Sequence, residues 1–371
     1  MKILHFFLGK ANPDRANGVN HVINGYGKEL AKNGVTAHFV GLSSLDNAQS
    51  DIIQRDGFEV EVYDGFFSNC LPRLKELAFE VDIVHLHSVW NHYNIYFARF
   101  LIKNKIPYVI TAHAGLVEDR LNQSRKLLKI IYHKLLQKPV YDKASGIHAI
   151  TKEEILSIAR NTDNENIFHV SNGLDLKNFP LKSKEHFSQS IIKIGYLGRF
   201  GVEKNLASLI KALHILPKQY AAQIELNLIG PIDGDAEKLR VMIDDLGVKN
   251  VVFTGAIYGA EKYDFLGKLD FYIHPALSDV VSIALMEAFA SGLPTIVTRT
   301  SHVSYYYKSN AFIMVEPTFN DISRAIIDML DKKSDWKDMS QSAIDLVKTS
   351  FDWKNNAKDM IHEYEQILEL T

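Results

Sequence analysis

Short apolar runs recur along the chain, separated by longer stretches in which apolar positions return every three or four residues. The runs at Ile3–Leu8, Thr36–Gly41, Phe58–Tyr63, Ile83–Leu86, Tyr108–Thr111 and Gly146–Ile150 predict strands. Amphipathic stretches such as Val19–Lys32 and Tyr93–Asn104 predict helices between them. Thr151-Lys152-Glu153-Glu154 fits a capping box and starts another helix. Strands alternating with helices indicate βαβ units and a parallel sheet. The pattern breaks over 175–190, a polar segment with Pro180, and restarts at Ile192–Gly198. A second series follows at Gln223–Ile229, Val251–Thr254, Phe271–His274, Thr295–Val297 and Phe312–Val315. The expected architecture is α/β: two doubly wound, Rossmann-like domains, 1–178 and 179–353, facing a central cleft, then a final helix at about 354–371.

Composition narrows the class. A chain of 371 residues, 46% hydrophobic, is long enough for two cores. A net charge of -2 argues against a general nucleic-acid binder. One cysteine, Cys70, excludes an internal disulfide framework and suits a reducing compartment. The apolar run after Met1 is too short for a signal peptide, and no uncharged apolar run is long enough to span a bilayer. The expectation is a cytoplasmic protein, soluble or peripheral on the inner face of a membrane.

The chemistry concentrates near Asp279 to Pro294, D-V-V-S-I-A-L-M-E-A-F-A-S-G-L-P. With 44 acidic residues in the chain, a pair at the spacing of Asp279 and Glu287 arises by chance about five times. The setting carries more weight: a strand before it, a helix starting near Ser282, and a Gly292-Leu293-Pro294 turn into the next strand. The N–H groups at such a helix start can meet phosphate. Glu287 lies among Ile283, Ala284, Leu285, Met286, Ala288, Phe289 and Ala290, where an acid without partners is costly to bury. It reads as a ribose ligand or as an acid on an amphipathic surface. Gly198-Arg199-Phe200-Gly201-Val202-Glu203-Lys204-Asn205 follows the first strand of the second domain. It reads as a diphosphate cradle with Arg199 and Lys204, or as an ordinary strand-to-helix turn.

Other groups have two readings as well. His113, in Thr111-Ala112-His113-Ala114-Gly115, points into the cleft or is a structural histidine. His85 and His87 alternate onto one side of a strand, but no third ligand stands at convincing spacing, so no metal is expected. Asp233-Gly234-Asp235 reads as a helix cap more readily than as a metal-binding triplet. The segment 120–138 carries Arg120, Arg125, Lys126, Lys129, Lys134 and Lys138 beside an apolar face that includes Leu121, Leu128, Ile131 and Leu135. It is a core-facing helix with a wet basic side, or a surface for anionic lipid headgroups.

Taken in order, these motifs resemble the family 4 retaining glycosyltransferases of the GT-B fold. The resemblance also takes in Asn17-Gly18-Val19, Ser171-Asn172-Gly173-Leu174-Asp175 and Phe351-Asp352-Trp353. Ile147-His148-Ala149-Ile150-Thr151 looks like members that build bacterial surface polysaccharides. The resemblance implies that Arg199 and Lys204 bind a donor diphosphate and that Glu287 binds the nucleotide ribose. It implies that the backbone of Val281, Ser282 and Ile283 meets phosphate, and that Asp279, standing where Glu is usual, contacts donor-sugar hydroxyls. It places His113 beside the transferred sugar and Gly18 where the first-domain loop approaches the donor. The last helix is expected to cross back onto the first domain. The implied activity is metal-independent, retaining hexose transfer from a nucleotide-diphospho sugar, UDP-linked first and GDP-linked second, with no cofactor. The acceptor would be a glycan or lipid-linked glycan hydroxyl in O-antigen, capsule or exopolysaccharide synthesis. The rivals are a sugar-nucleotide hydrolase or epimerase, and a non-catalytic sugar-nucleotide-binding protein.

Overall fold

The computed structural model describes residues 1–11, 18–44, 50–113, 115, 130–181, 183–185, 187 and 190–370. Its contacts divide the chain into two units, Met1–Gly173 with Trp353–Thr371, and Leu174–Asp352. The division falls after Gly173 and not at 178, because Leu174, Leu176 and Phe179 are buried in the second unit's core.

Among the described residues the first unit builds one eight-stranded sheet. Its strands are β1 (Lys2–Leu8), β2 (Thr36–Leu42), β3 (Ser50–Arg55), β4 (Phe58–Tyr63), β5 (Ile83–His87), β6 (Tyr108–Thr111), β7 (Gly146–Ala149) and β8 (Ile167–His169). They lie in the order β3-β4-β2-β1-β5-β6-β7-β8. All neighbours run parallel except β3 and β4, an antiparallel hairpin at one edge. The apolar runs do not reveal β3 or β8. β3 is a largely polar edge strand and β8 spans three residues. The central strands behave as parallel strands must: every residue of β5 and the interior of β1 are buried, on both faces of the sheet. Thr151 caps the helix Lys152–Ala159 by accepting from the Glu154 N–H at 3.2 Å. Glu154 reaches back to the Ile150 N–H at 2.8 Å, one residue beyond the usual capping-box partner.

The helix Trp353–Glu369 belongs to this first unit. Its Trp353 ring sits 4.7 Å from the Tyr26 ring, on the helix Gly18–Lys32. Gly25 and Gly173 make room for it, since a Cβ at either would strike Trp353.

The second unit is wholly parallel. Its strands are β9 (Ile192–Leu197), β10 (Ile224–Ile229), β11 (Val251–Gly255), β12 (Phe271–His274), β13 (Thr295–Thr298) and β14 (Phe312–Val315). The order β11-β10-β9-β12-β13-β14 is the doubly wound arrangement. It reverses direction between β9 and β12, so the loops leaving those two strands flank the crevice where such sheets bind ligands.

Filling the gap under Trp353 tests the docking of the last helix. Gly25→Val is expected to cost about 1–3 kcal/mol by overpacking. Urea unfolding followed by Trp fluorescence should show it, and an unchanged midpoint would mean that Trp353 does not seat there.

Candidate active site

The two loops at the β9/β12 reversal are stapled together. Leaving β9, the chain turns at Gly198, whose φ of +149° puts it among backbones that favour glycine. The Tyr196 hydroxyl donates to the Arg199 carbonyl at 2.8 Å. A short turn, Val202–Lys204, ends at Asn205 in the left-handed region, with φ +57°. The Asn205 amide donates to the carbonyls of Pro275 (3.0 Å) and Pro317 (3.1 Å). The Leu277 N–H donates to the Glu203 carbonyl at 2.8 Å. Backbone groups therefore fix the distance between the loop that carries Lys204 and the loop that carries Asp279.

That distance is an ion pair. Lys204 Nζ lies 2.6 Å from Asp279 Oδ2, with both side chains largely buried. His274 Nε2 lies 3.0 Å from the same oxygen, and the Val280 N–H donates to Oδ1 at 3.0 Å. Burial opposes ionisation of Asp279, but the His274 hydrogen bond and the Lys204 charge prevail. They hold its carboxyl well below the usual carboxylate range. The loop is anchored from beneath as Asp279 N–H donates to Thr300 O at 3.0 Å and Val281 N–H to Ser301 O at 3.1 Å. Val281 has φ +34°, a strained conformation for a β-branched residue. Its N–H is committed to Ser301, so it is not among the donors open to a ligand. Arg199, in contrast, is exposed, with Glu203 3.9 Å away.

Ser282 caps the helix Ile283–Ala290 by accepting from the Leu285 N–H at 3.3 Å. The amides of Ile283 and Ala284 open that helix and have no intrahelical carbonyl to bond. Glu287 sits one turn in, 3% exposed among apolar neighbours. Burial raises its pKa, and Lys262 at 2.6 Å offsets part of the rise. The helix ends at Gly292 in the left-handed conformation, with φ +68°.

This arrangement draws Lys204, Asp279, Val281, Ser282, Ile283 and Glu287 onto the two loops and one helix at the reversal, with Arg199 at the rim. It adds residues that strand and loop patterns do not disclose. His274 ends an apolar strand, and Lys262 lies on a different helix, Gly259–Gly267. Only the fold brings either to its acid. Asn205 ends the Lys204 motif, where its polar character gives no hint of a staple.

Gly18 and His113 belong to the first unit. Gly18 opens a helix, and a Cβ there would meet nothing within 4 Å. His113 follows β6 with φ +45° and is half-buried, and burial lowers its pKa to about 4. Its Nε2 lies 3.1 Å from His87 Nδ1. Parallel pairing of β1 with β5 sets His5 beside His85, which supplies a third imidazole that sequence spacing does not show. Ring nitrogens of His5, His85 and His87 lie within 4.8 Å of one another, the one potential metal-binding group of this kind among the described residues. Five of their six ring nitrogens are engaged in hydrogen bonds, and His5 Nε2 has no partner among the described residues. His5 Nδ1 and His87 Nε2 are 3.0 Å apart, and His85 bonds both Tyr364 and Thr111 at 2.5 Å. These contacts join the three imidazoles, Thr111 and Tyr364 in one hydrogen-bonded cluster.

Two further expectations change or fall outside the description. Asp235 stands at a helix start without capping it, because its carboxylate turns to Lys238 at 2.6 Å. Asn17 and residues 120–129 lie outside the described residues. In the described part of the basic segment, Ile130, Ile131, Leu135 and Leu136 are exposed, so they do not face a core there.

Two family models match the chain: "Glycosyltransferase Family 4" over residues 16–178 and "Glycosyl transferases group 1" over residues 180–346. The D-rhamnosyltransferase WbpZ of Pseudomonas aeruginosa is 23% identical over 319 residues, 82% of this chain and 81% of that one. The capsular polysaccharide biosynthesis glycosyltransferase CapH of Staphylococcus aureus is 24% identical, over 62% of this chain and 64% of its own. Among solved structures, Anabaena HepE in complex with UDP superposes with a TM-score of 0.77 at 16% identity, over 99% of this chain and 100% of that one.

The Asp279 cluster predicts an acid-sensitive contribution to stability. A depressed folded pKa stabilises above the unfolded carboxylate range, near pH ~4, and that stability drains away as pH falls further. Asp279→Asn should therefore lose less stability than the wild type between about pH 6 and pH 3, measured as urea midpoints. Equal losses would show that Asp279 is not held ionised.

Proposed function

As the chain belongs to the family 4 glycosyltransferases of the GT-B fold, we propose that it is a retaining, metal-independent hexosyltransferase using a nucleotide-diphospho sugar. One observation carries this reading. Lys204, the ionised Asp279 and the helix bearing the buried Glu287 meet at the β9/β12 reversal. Nucleotide-sugar chemistry needs those features together. Breaking the bond from anomeric carbon to phosphate puts positive charge on the sugar ring and negative charge on the leaving diphosphate. Lys204, Arg199 and the open amides of Ile283 and Ala284 would stabilise the diphosphate without protonating it. Asp279, fixed as an anion, would accept from donor-sugar hydroxyls, and Glu287 from the ribose hydroxyls. Lys204 waits on Asp279 until a diphosphate arrives to share its charge. His113 and Gly18 are proposed to contact the donor, as the resemblance implies. No enzyme nucleophile is assigned. The acceptor hydroxyl would attack from the face the diphosphate leaves, assisted by a donor phosphate oxygen.

The relatives point to surface-polysaccharide synthesis, and the proposed acceptor is a hydroxyl of a lipid-linked glycan. UDP-sugar is the first choice of donor and GDP-sugar the second; the Anabaena protein was solved with UDP. No helix of the described residues is long and apolar enough to cross a membrane. The exposed Ile130, Ile131, Leu135 and Leu136 beside Lys134 support peripheral contact with anionic lipid at the cytoplasmic face.

A thermal-shift screen against UDP-, GDP- and ADP-sugars should raise the melting temperature with one nucleotide class, since a ligand bound only to folded protein stabilises it. Glu287→Gln and Lys204→Ala should abolish most transfer while keeping the far-UV circular dichroism of the wild type. Normal turnover by either folded variant would sink the assignment. Release of free sugar as the sole product would favour the hydrolase, and conversion of the sugar without acceptor the epimerase. Sedimentation with anionic vesicles should weaken as salt rises; equal pelleting at low and high salt would remove the basic segment from the account.

A further inference from the structure

Two hydrogen-bonded chains run through the histidine cluster on the neighbouring strands β1, β5, β6 and β7, and one of them has a direction that its surroundings dictate. His148 Nε2 lies 2.7 Å from the Val170 carbonyl, which can only accept. His148 therefore carries its proton on Nε2. It is a neutral ring, because burial lowers its pKa to about 3. Its bare Nδ1 then accepts from the Thr111 hydroxyl at 2.8 Å. Thr111 accepts from His85 Nε2–H, and the bare Nδ1 of His85 accepts from the Tyr364 hydroxyl. One carbonyl thus sets two tautomers and two hydroxyl rotors.

The second chain is His5, His87, His113. His5 Nδ1 faces His87 Nε2 at 3.0 Å, and His87 Nδ1 faces His113 Nε2 at 3.1 Å. Each contact joins the Nδ1 of one ring to the Nε2 of the next, so the chain runs head to tail. His5 and His87 are fully buried, and His113 alone reaches the surface. Burial keeps all three rings neutral. Neutral rings in line allow two directions. In one, His5 Nε2 carries an N–H; in the other it is a bare lone pair. It has no hydrogen-bond partner among the described residues. A buried N–H without an acceptor is the rarer and costlier orphan. The buried end therefore selects the direction in which His5 Nδ1–H donates to His87 and His87 Nδ1–H donates to His113.

We propose that His5 and His87 are positioning residues that lock His113 as the Nδ1–H tautomer, a neutral hydrogen-bond donor for an oxygen of the bound sugar nucleotide. The ligand assignment rests on the function proposed above; the tautomer does not. The direction suits the chemistry, because a neutral donor can hold a hydroxyl or phosphate oxygen without placing a cation beside a ring that is gaining positive charge. Without the lock, His113 could turn the same nitrogen into an acceptor and lose that contact.

Long-range proton–nitrogen spectra of the full-length, 15N-labelled protein read each ring nitrogen directly. His113 is assigned by the resonances lost in His113→Asn. The expected result is a protonated Nδ1 and a bare Nε2. In His87→Phe and His5→Phe, which keep a ring but remove the donor, the His113 signals should move to a mixture of tautomers. With the nucleotide sugar selected by thermal shift, His87→Phe should lower kcat about tenfold, the worth of one hydrogen bond, with KM for the donor unchanged. A wild-type His113 protonated on Nε2, or a tautomer unmoved in both Phe variants, overturns the proposal. So does a stoichiometric transition metal in the purified protein, which would occupy the place of the His5–His87 proton. If the wild type turns over no sugar nucleotide, the functional reading fails while the nitrogen spectrum still decides the tautomer.

Discussion

A buried charge must be met by partners where it stands, and in the second unit that requirement falls on Asp279. Its carboxylate is satisfied by Lys204, His274 and the Val280 amide together. Each partner comes from a different place: the loop after β9, the end of β12 and the residue next along. Meeting the charge therefore fixes both loops. The Asn205 amide and the Leu277–Glu203 backbone bond hold the same spacing with neutral groups. The strained Val281 follows from it, since the chain must leave Asp279, bond Ser301 and reach the Ser282 cap within three residues.

Glu287 shows the opposite balance. Burial outweighs Lys262 and leaves its pKa raised, so its ionised form is carried at some cost. A fold selected for stability alone would place an apolar residue there, as at its neighbours Met286 and Ala288. Asp279 is met by three partners of the protein, whereas Glu287 is met by Lys262.

The first unit meets the same condition with neutral groups. Its histidines lie on and beside the paired strands β1 and β5, mostly buried, with imidazoles joined in hydrogen-bonded lines that end at a carbonyl or at nothing. Tyr364 ties the last helix into one of these lines, while Trp353 fills the space that Gly25 leaves. That helix thus completes the first unit through both a polar and an apolar contact.

The sequence determined the alternation of strands and helices, because parallel strands buried on both faces are predominantly apolar, as β1, β5 and β12 are. It also exposed the capped helix at Ser282 and the cationic turn after β9, since caps and turns are local chemistry. It did not expose β3, a polar edge strand, or the three-residue β8. Partners across the sheet were equally hidden. That Lys204 rests on Asp279, that Lys262 reaches Glu287 and that His5 stands beside His85 depend on strand order and register. Those are settled by packing distant segments, not by any run of neighbouring residues. Local pattern named the acids and cations; tertiary structure decided which would be neutralised, and by what.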